Sequence, residues 1–319
     1  MKWQKILASI ILPLPLVILA ACSSSPSERP ATDMAVKIAV TQNFGEKLIF
    51  EQSLNIKENT SALDALKQAA PVETSYGGGF VSGINGIRSR YAGGVTARED
   101  WFFYVNGLIS NVGASDYVLQ PGDTEQWDFH SWSLHSFTPA VIGHFPEPFL
   151  HGYSGKTRPT VIVYTDKFRE EAKNLERKLG ELGAHAVGSQ EFSALSPSEK
   201  ENSNLILIGT PDVEAISELN RHWKQLGLFA YFEGVNLNVL NASGAVANNY
   251  GSGAGLIQAT QNPWNPNGIG AGENVVWLVS GTDETGVKAA IDALINRNTD
   301  LRYSHAAVIV SGEIVRIPR

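Results

Sequence analysis

The feature that most constrains the fold is a pattern that occurs three times in the second half of the chain. Residues 160–183, 205–227 and 275–296 each combine a short apolar strand, a polar turn and a helix. The segment LILIG, at 205–209, has no polar side, so it must be buried on both faces, as in a parallel sheet covered by helices. The sequence therefore predicts an α/β domain with a parallel, doubly wound sheet at residues 159–319.

A different pattern precedes it. Residues 35–42 and 47–56 are rich in β-forming side chains and predict a hairpin, and a short capped helix follows. Two Asn-Gly pairs, which suit the positive φ angles of type I′ turns, predict further hairpins at Asn85 and Asn106. Two strands, a helix and then hairpins predict an α+β domain of the β-grasp type, a small sheet curled over one helix, at residues 34–132.

The segment DWFFYVNG, residues 100–107, places aromatic rings on both sides of one strand. Trp101 and Phe103 point to one side, and Phe102 and Tyr104 point to the other. A strand with one solvated face would be apolar on one side only. The second side must therefore be covered by a helix, by another domain or by a bound molecule.

Four segments, in this order and spacing, resemble the β-grasp domain shared by bacterial lipoproteins and the C-terminal half of transcobalamin and intrinsic factor: TSALDALKQA, GGGFVSGINGI, DWFFYVNG and SDYVLQPGDTEQWDF. The resemblance covers about residues 35–130. In the vertebrate carriers this domain covers one face of cobalamin, and a separate helical barrel, without a counterpart here, holds the other face. The resemblance implies a ligand-facing module with a corrinoid as a candidate ligand. No other cofactor is predicted.

The candidate ligand-binding residues are the aromatic side chains around this strand, one turn residue, and a tryptophan from a long loop at residues 258–274. They are Tyr76, Phe80, Trp101, Tyr104, Asn106, Trp127 and Trp264. Each has a structural alternative, because large rings are often buried in cores and turn chemistry alone explains the asparagine. The long loop either clamps a ligand or packs on the first domain.

Between the two domains, residues 133–158 are too apolar to be disordered and predict an interdomain strap. Residues 130–155 contain four of the seven histidines and three prolines. An alternative is that one of these histidines ligates a metal or the cobalt of a corrinoid: His130, His135, His144 or His151. No pair of them has the i, i+4 spacing of a helical metal site, so we predict no metal site.

The start of the chain predicts export. Residues 1–21 place two lysines before an apolar run that is short and broken by two prolines, which is typical of a signal peptide. LAAC, residues 19–22, resembles the lipobox of bacterial lipoproteins, which implies lipidation of Cys22, the single cysteine. Residues 22–33 predict a flexible tether. The expected location is the cell membrane or the outer membrane, facing outside the cytoplasm; the alternative is a secreted protein with an incidental cysteine.

Removing residues 1–21, which carry two positive charges and no negative ones, takes the formal charge from −7 to −9. This balance argues against nucleic acid as a partner. The sequence has no G-x-S-x-G elbow and no phosphate-binding loop, so we predict no enzyme activity and no catalytic residues. The preferred function is a lipid-anchored binding protein that passes a flat amphipathic solute, such as a cobamide, to a membrane transporter. The alternatives are an envelope module that binds protein or glycan, and an enzyme that uses the α/β half.

Overall fold

The computed structural model describes residues 33–91 and 97–319, which belong to one compact unit. The predicted signal peptide, residues 1–21, lies outside the described residues, as do Cys22 and the predicted tether up to residue 32. Within the described part of the chain, no helix is both long enough and apolar enough to cross a membrane.

The first half of the described chain is mostly β-strand with one α-helix. Its elements are β1 (Met34–Gln42), β2 (Lys47–Ile56), α1 (Ala62–Ala69), β3 (Val72–Ser75), β4 (Phe80–Ile84), β5 (Ile87–Arg88), β6 (Glu99–Val105), β7 (Leu108–Ile109) and β8 (Thr124–Ser131). Five strands form a sheet in the order β2-β1-β8-β6-β7, and β3-β4-β5 form a second sheet. In the larger sheet β1 and β8 are parallel, and the other neighbours are antiparallel.

The local predictions for this half are confirmed. β1 and β2 form the predicted hairpin. The Ser61 hydroxyl accepts a hydrogen bond of 3.1 Å from the backbone N–H of Asp64 and so caps α1. Asn85 and Asn106 have φ angles of 51° and 52°, as their hairpin turns require.

Both sides of β6 are covered by protein. On one side Trp101 packs in a hydrophobic core that also contains Leu63 and Leu66 of α1. On the other side Tyr104 shares a hydrogen bond of 3.3 Å with the imidazole of His305, in the second half of the chain. The position of Tyr104 on the second face is therefore explained by packing between the two halves, whereas Phe102 on that face stacks on His130 of β8.

The second half alternates strands with helices and ends in a hairpin. Its elements are β9 (Thr160–Tyr164), α2 (Arg169–Glu181), β10 (Val187–Glu191), α3 (Pro197–Asn202), β11 (Asn204–Gly209), α4 (Glu214–Arg221), β12 (Ala230–Glu233), β13 (Asn236–Leu240), β14 (Val246–Tyr250), β15 (Gly255–Gln261), β16 (Val275–Gly281), α5 (Glu284–Asn296), β17 (Ala306–Val310) and β18 (Glu313–Ile317).

Seven of these strands form one mixed sheet in the order β10-β9-β11-β16-β15-β17-β18. The first four strands in this order are parallel, but β15, β17 and β18 are antiparallel to their neighbours, so the prediction of a parallel sheet holds for only part of it. Residues 258–261, assigned above to a long loop, belong to β15. Helices α2 and α5 share a hydrophobic core with one face, and α4 packs on the other face with the three-stranded sheet β12-β13-β14.

The segment at residues 133–158 makes backbone hydrogen bonds to both halves. The N–H of Val141 donates to the carbonyl of Gly107 at 2.8 Å, and the N–H of Gly143 donates to the carbonyl of Ser304 at 2.9 Å. Gly107 has a φ of 80°, and a Cβ atom there would lie 2.9 Å from the Val141 carbonyl oxygen. The turn after β6 therefore needs glycine for both its conformation and its contact with this segment.

Candidate ligand-binding groove

A groove of about 580 Å³ lies beside the start of β6, and we call it the aromatic groove. Its lining residues are Tyr76, Phe80, Tyr91, Asp100, Trp101, Phe102, Trp132 and Ser136. They come from the turn between β3 and β4, the start of β4, the segment after β5, the start of β6 and the residues that follow β8. The volume is typical of sites that bind small molecules.

Two of the lining rings are open to solvent. Tyr76 is 81% exposed and Tyr91 is 57% exposed, whereas Trp101 is only 6% exposed. Tyr76 packs edge-on against Phe80 at a centroid distance of 6.1 Å, and Tyr91 packs edge-on against Trp132 at 5.0 Å. Exposed rings that border a concave apolar surface offer faces on which a flat molecule can stack.

The backbone of Tyr76 supports a functional interpretation of this rim. Its φ angle is 53°, which is uncommon for a bulky residue. Gly77 and Gly78 follow, also with positive φ angles. Conformations of this kind persist where surrounding structure imposes them, and they concentrate at binding sites.

Asp100 is the charged residue in the lining, and only 8% of its surface is exposed. One carboxylate oxygen accepts a hydrogen bond of 3.0 Å from the indole N–H of Trp132, and the other accepts one from the hydroxyl of Ser89. Among the described residues no ion pair includes Asp100. The groove thus combines aromatic faces with one nearly buried anionic group.

The structure brings three of the seven candidate residues together in this groove: Tyr76, Phe80 and Trp101. Tyr104 is fully buried against the second half of the chain. Asn106 is also buried, and its amide donates to Asp123 and to the carbonyl of Gly152, both at 2.8 Å. The positions of Tyr104 and Asn106 are thus explained by packing and turn chemistry.

The other two candidates are also engaged elsewhere. Trp127 is buried, with its ring stacked on Phe103 at a centroid distance of 4.8 Å. Trp264 is half-buried in the second half of the chain. Its indole N–H donates to the carboxylate of Glu218 at 2.9 Å, and the Lys200 ammonium lies 4.1 Å from its ring centroid. Its loop also contacts the first half, because Asn111 donates to the backbone of Ala271, so packing accounts for this loop.

Sequence reasoning missed several residues of the aromatic groove. Asp100 and Phe102 flank Trp101 in the segment singled out above, so alternation along the strand could have indicated them. Tyr91 and Trp132 carry no local signal of this kind. Trp132 follows β8 and reaches the groove because β8 pairs with β6. The backbone N–H of Trp132 donates to the carbonyl of Arg98.

A second polar cluster lies in the interior, where donor atoms of Asp128, His130 and His305 all lie within 4.8 Å of one another. A carboxylate and two imidazoles could in principle hold a divalent transition metal. However, Asp128 already accepts a hydrogen bond of 2.6 Å from His130 and bonds of 2.9 and 2.8 Å from the backbone N–H groups of Phe44 and Gly45. Its position is thus explained by the hydrogen bonds that attach the β1–β2 turn to β8.

The pKa values in this cluster fit that interpretation. Burial alone would raise the pKa of Asp128, but the hydrogen bond and the charge of His130 lower it to about 2. Burial lowers the pKa of His305 to about 3, so its imidazole is neutral at physiological pH.

The histidines considered above as metal ligands all have protein partners. His130 bonds to Asp128, as described. His135 donates to the carbonyl of Leu228. His144 donates to the amide oxygen of Gln126, and His151 donates to the carboxylate of Glu147. The absence of a metal remains a prediction.

Part of the chain matches a known protein family. Residues 59–131 match the sequence pattern of a domain of unknown function, DUF4430. No curated protein matches the chain. The DUF4430 match covers the helix α1, the aromatic strand β6 and the strand β8, and so includes most of the residues that line the aromatic groove.

Two solved structures show weak similarity to the chain. A "putative metal binding protein" from Ruminococcus gnavus ATCC 29149 is 13% identical, with a TM-score of 0.24, over 31% of this chain and 97% of that one. Haptocorrin in complex with Cbi is 14% identical, with a TM-score of 0.27, over 33% of this chain and only 26% of that one. TM-scores this low do not establish a shared fold.

Proposed function

We propose that this protein binds a flat, amphipathic small molecule in the aromatic groove. The observation that carries the proposal is the convergence of six aromatic side chains around about 580 Å³ of open space, with two rings exposed at the rim. Stacking on the rings would hold the apolar face of a ligand, and the polar groups of Asp100 and Ser136 would orient its polar edge.

The resemblance of residues 35–130 to corrinoid-binding β-grasp domains makes a corrinoid the first ligand to test. In this proposal the first half is a β-grasp domain, and the groove covers one side of the ligand. The ligand would then be held loosely enough to be passed on to a membrane transporter.

We propose binding rather than catalysis. Among the described lining residues of the groove, the titratable groups are Asp100, Tyr76 and Tyr91, which do not form the pair of nucleophile and base that covalent catalysis needs. The remaining lining residues are aromatic apart from one serine.

The proposed site would be held at a membrane by lipidation of Cys22. Two acyl chains give stable attachment, whereas one chain gives only marginal, reversible attachment. The tether at residues 22–33 would keep the folded part away from the bilayer, outside the cytoplasm, at the cell membrane or the outer membrane.

A second candidate function is binding of an envelope glycan or protein, and the exposure of Tyr76 and Tyr91 favours it. Exposed tyrosines at a rim can stack on the apolar faces of sugar rings as well as on a small flat ligand.

The test is an equilibrium titration of the full chain with cobinamide, followed by tryptophan fluorescence and the visible corrinoid spectrum. We expect saturable binding, and we expect Tyr91→Ala to weaken it about two- to tenfold, because one stacked ring contributes about 0.5–1.5 kcal/mol. Val235→Ala is the control, since this valine is exposed in the second half of the chain and lies outside the groove.

An absence of saturable binding with cobinamide and cobalamin at hundreds of micromolar would contradict the corrinoid proposal. Binding of envelope glycan by the wild type, with loss in Tyr91→Ala, would then support the second candidate.

A further inference from the structure

We infer that the aromatic groove selects flat organic ligands that carry a positive charge. This inference rests on the proposed function, since it names the chemical class of the ligand for that same groove. Two independent features of the lining support it: the surroundings of Asp100 and the faces of the rings.

Asp100 is a nearly buried anion without a cationic partner among the described residues. Aspartate is rarely buried unless it is paired, because loss of hydration is costly for a charged group. Its hydrogen-bonding partners, Trp132 and Ser89, are neutral. Each carboxylate oxygen can accept two hydrogen bonds, so the group retains capacity for a donor from a ligand.

The arginines nearest in sequence are engaged elsewhere. Arg88 pairs with Glu73 at 2.7 Å, and Arg90 pairs with Glu99 at 2.8 Å. The guanidinium of Arg98 lies over the ring of Trp132, and no ion pair of the described residues joins it to the Asp100 carboxylate. A cationic ligand would therefore form the ion pair with Asp100 that none of the described residues forms.

The ring faces attract the same charge. An aromatic face carries partial negative charge, and cages of aromatic side chains are the usual means of binding quaternary ammonium groups. The guanidinium of Arg98, 5.4 Å from the ring centroid of Trp132, shows that one ring of the groove already holds a cation. The carboxylate and the rings thus favour a cation and disfavour an anion.

The experiment compares two soluble probes of nearly the same shape that differ in charge: (4-hydroxyphenyl)trimethylammonium and neutral 4-tert-butylphenol. Dissociation constants are measured by calorimetry with the full chain. We expect the ammonium compound to bind at least about tenfold more tightly, because cation–π contacts and the Coulombic attraction of a nearly buried carboxylate each favour the charge.

Three variants separate the contributions. Asp100→Asn should weaken binding of the ammonium compound about tenfold, because it removes the Coulombic attraction, and should change the affinity for 4-tert-butylphenol less than about twofold. Arg98→Ala should strengthen binding of the ammonium compound, since it removes a like charge and frees the face of Trp132. Glu99→Gln is the control: this carboxylate is adjacent in sequence but is paired with Arg90 and lies outside the lining, so the preference should persist.

Each contrary result has a distinct meaning. Equal affinity for the two probes would overturn the charge selection and leave small-molecule binding in the groove intact. Failure of both probes to bind would also overturn it, and the cobinamide titration then decides the proposed function separately. If Asp100→Asn proves unstable, Arg98→Ala still tests the inference, because Arg98 is exposed. An unchanged or weaker affinity of Arg98→Ala for the ammonium compound would contradict the inference.

Discussion

Replacing Glu125 with glutamine should stabilise the protein at neutral pH and leave its stability unchanged at pH 4. Glu125 is fully buried on β8. The indole N–H of Trp127 donates to one carboxyl oxygen, and the other oxygen has no hydrogen-bonding partner among the described residues. Burial, with a smaller effect from the charge of Asp123, raises the pKa of Glu125 from 4.5 to about 8.

The sign of the effect follows from this raised pKa. Below pH 4.5 the carboxyl is protonated in both the folded and the unfolded chain, so it contributes no pH-dependent free energy. Between pH 4.5 and 8 the unfolded chain releases the proton first, and each pH unit lowers the free energy of unfolding by about 1.4 kcal/mol. The cost is about 3 kcal/mol at pH 7 and reaches about 5 kcal/mol above pH 8.

Glutamine has nearly the shape of the protonated carboxyl and cannot ionise, so Glu125→Gln removes this cost. Urea unfolding of the wild type and the variant at pH 4, 5.5, 7 and 8 measures the difference. Glu58→Gln is the control, since Glu58 is exposed on the same half of the chain and its replacement should give no such trend. A difference in stability between wild type and Glu125→Gln that stays constant across this range would show that ionisation of Glu125 does not destabilise the fold.

Two further pairs of variants test the packing of the described chain. Gly45→Ala should lower the melting temperature far more than Gly253→Ala: both glycines have φ near 80°, but a Cβ at Gly45 would lie 1.9 Å from the carbonyl oxygen of Tyr303, whereas Gly253 faces open space. Equal losses in thermal melts would contradict this contact between the halves. Trp101→Ala should cost about 3–5 kcal/mol in urea unfolding because its ring is buried, whereas exposed Tyr91→Ala should cost less than about 1 kcal/mol. A small loss in Trp101→Ala would place that ring outside the core.

The features that could be predicted from the sequence depend on residues close together in the chain. The β1–β2 hairpin, the cap of α1 at Ser61 and the turns at Asn85 and Asn106 each follow from the chemistry of a few neighbouring side chains. The strand–turn–helix units of the second half are recognisable for the same reason, because each is a continuous apolar run followed by an amphipathic one.

The features that could not be predicted depend on pairing across long distances. The sequence predicts a loop for part of β15 because polar residues interrupt its apolar pattern, although all of the strand is buried. Two of its polar side chains donate to carbonyls far along the chain: the Gln258 amide donates to that of Ala230, and the Thr260 hydroxyl donates to that of Leu226. Nothing within the strand itself indicates those partners.

The same limit applies to the aromatic groove. The segment around Trp101 concentrates aromatic rings in one strand, but alternation along a strand does not say which face the rest of the chain will cover. Tyr104 is buried because His305 reaches it from the second half of the chain. Tyr91 and Trp132 enter the lining only after the strands have paired.

A crystal structure of the protein with saturating cobinamide would show whether a flat ligand occupies the aromatic groove. We expect the macrocycle to lie against Tyr76, Tyr91 and Trp132, with a polar or charged group of the ligand directed at Asp100. A ligand bound at another surface, or an empty groove at saturating cobinamide, would show that the groove is not the binding site.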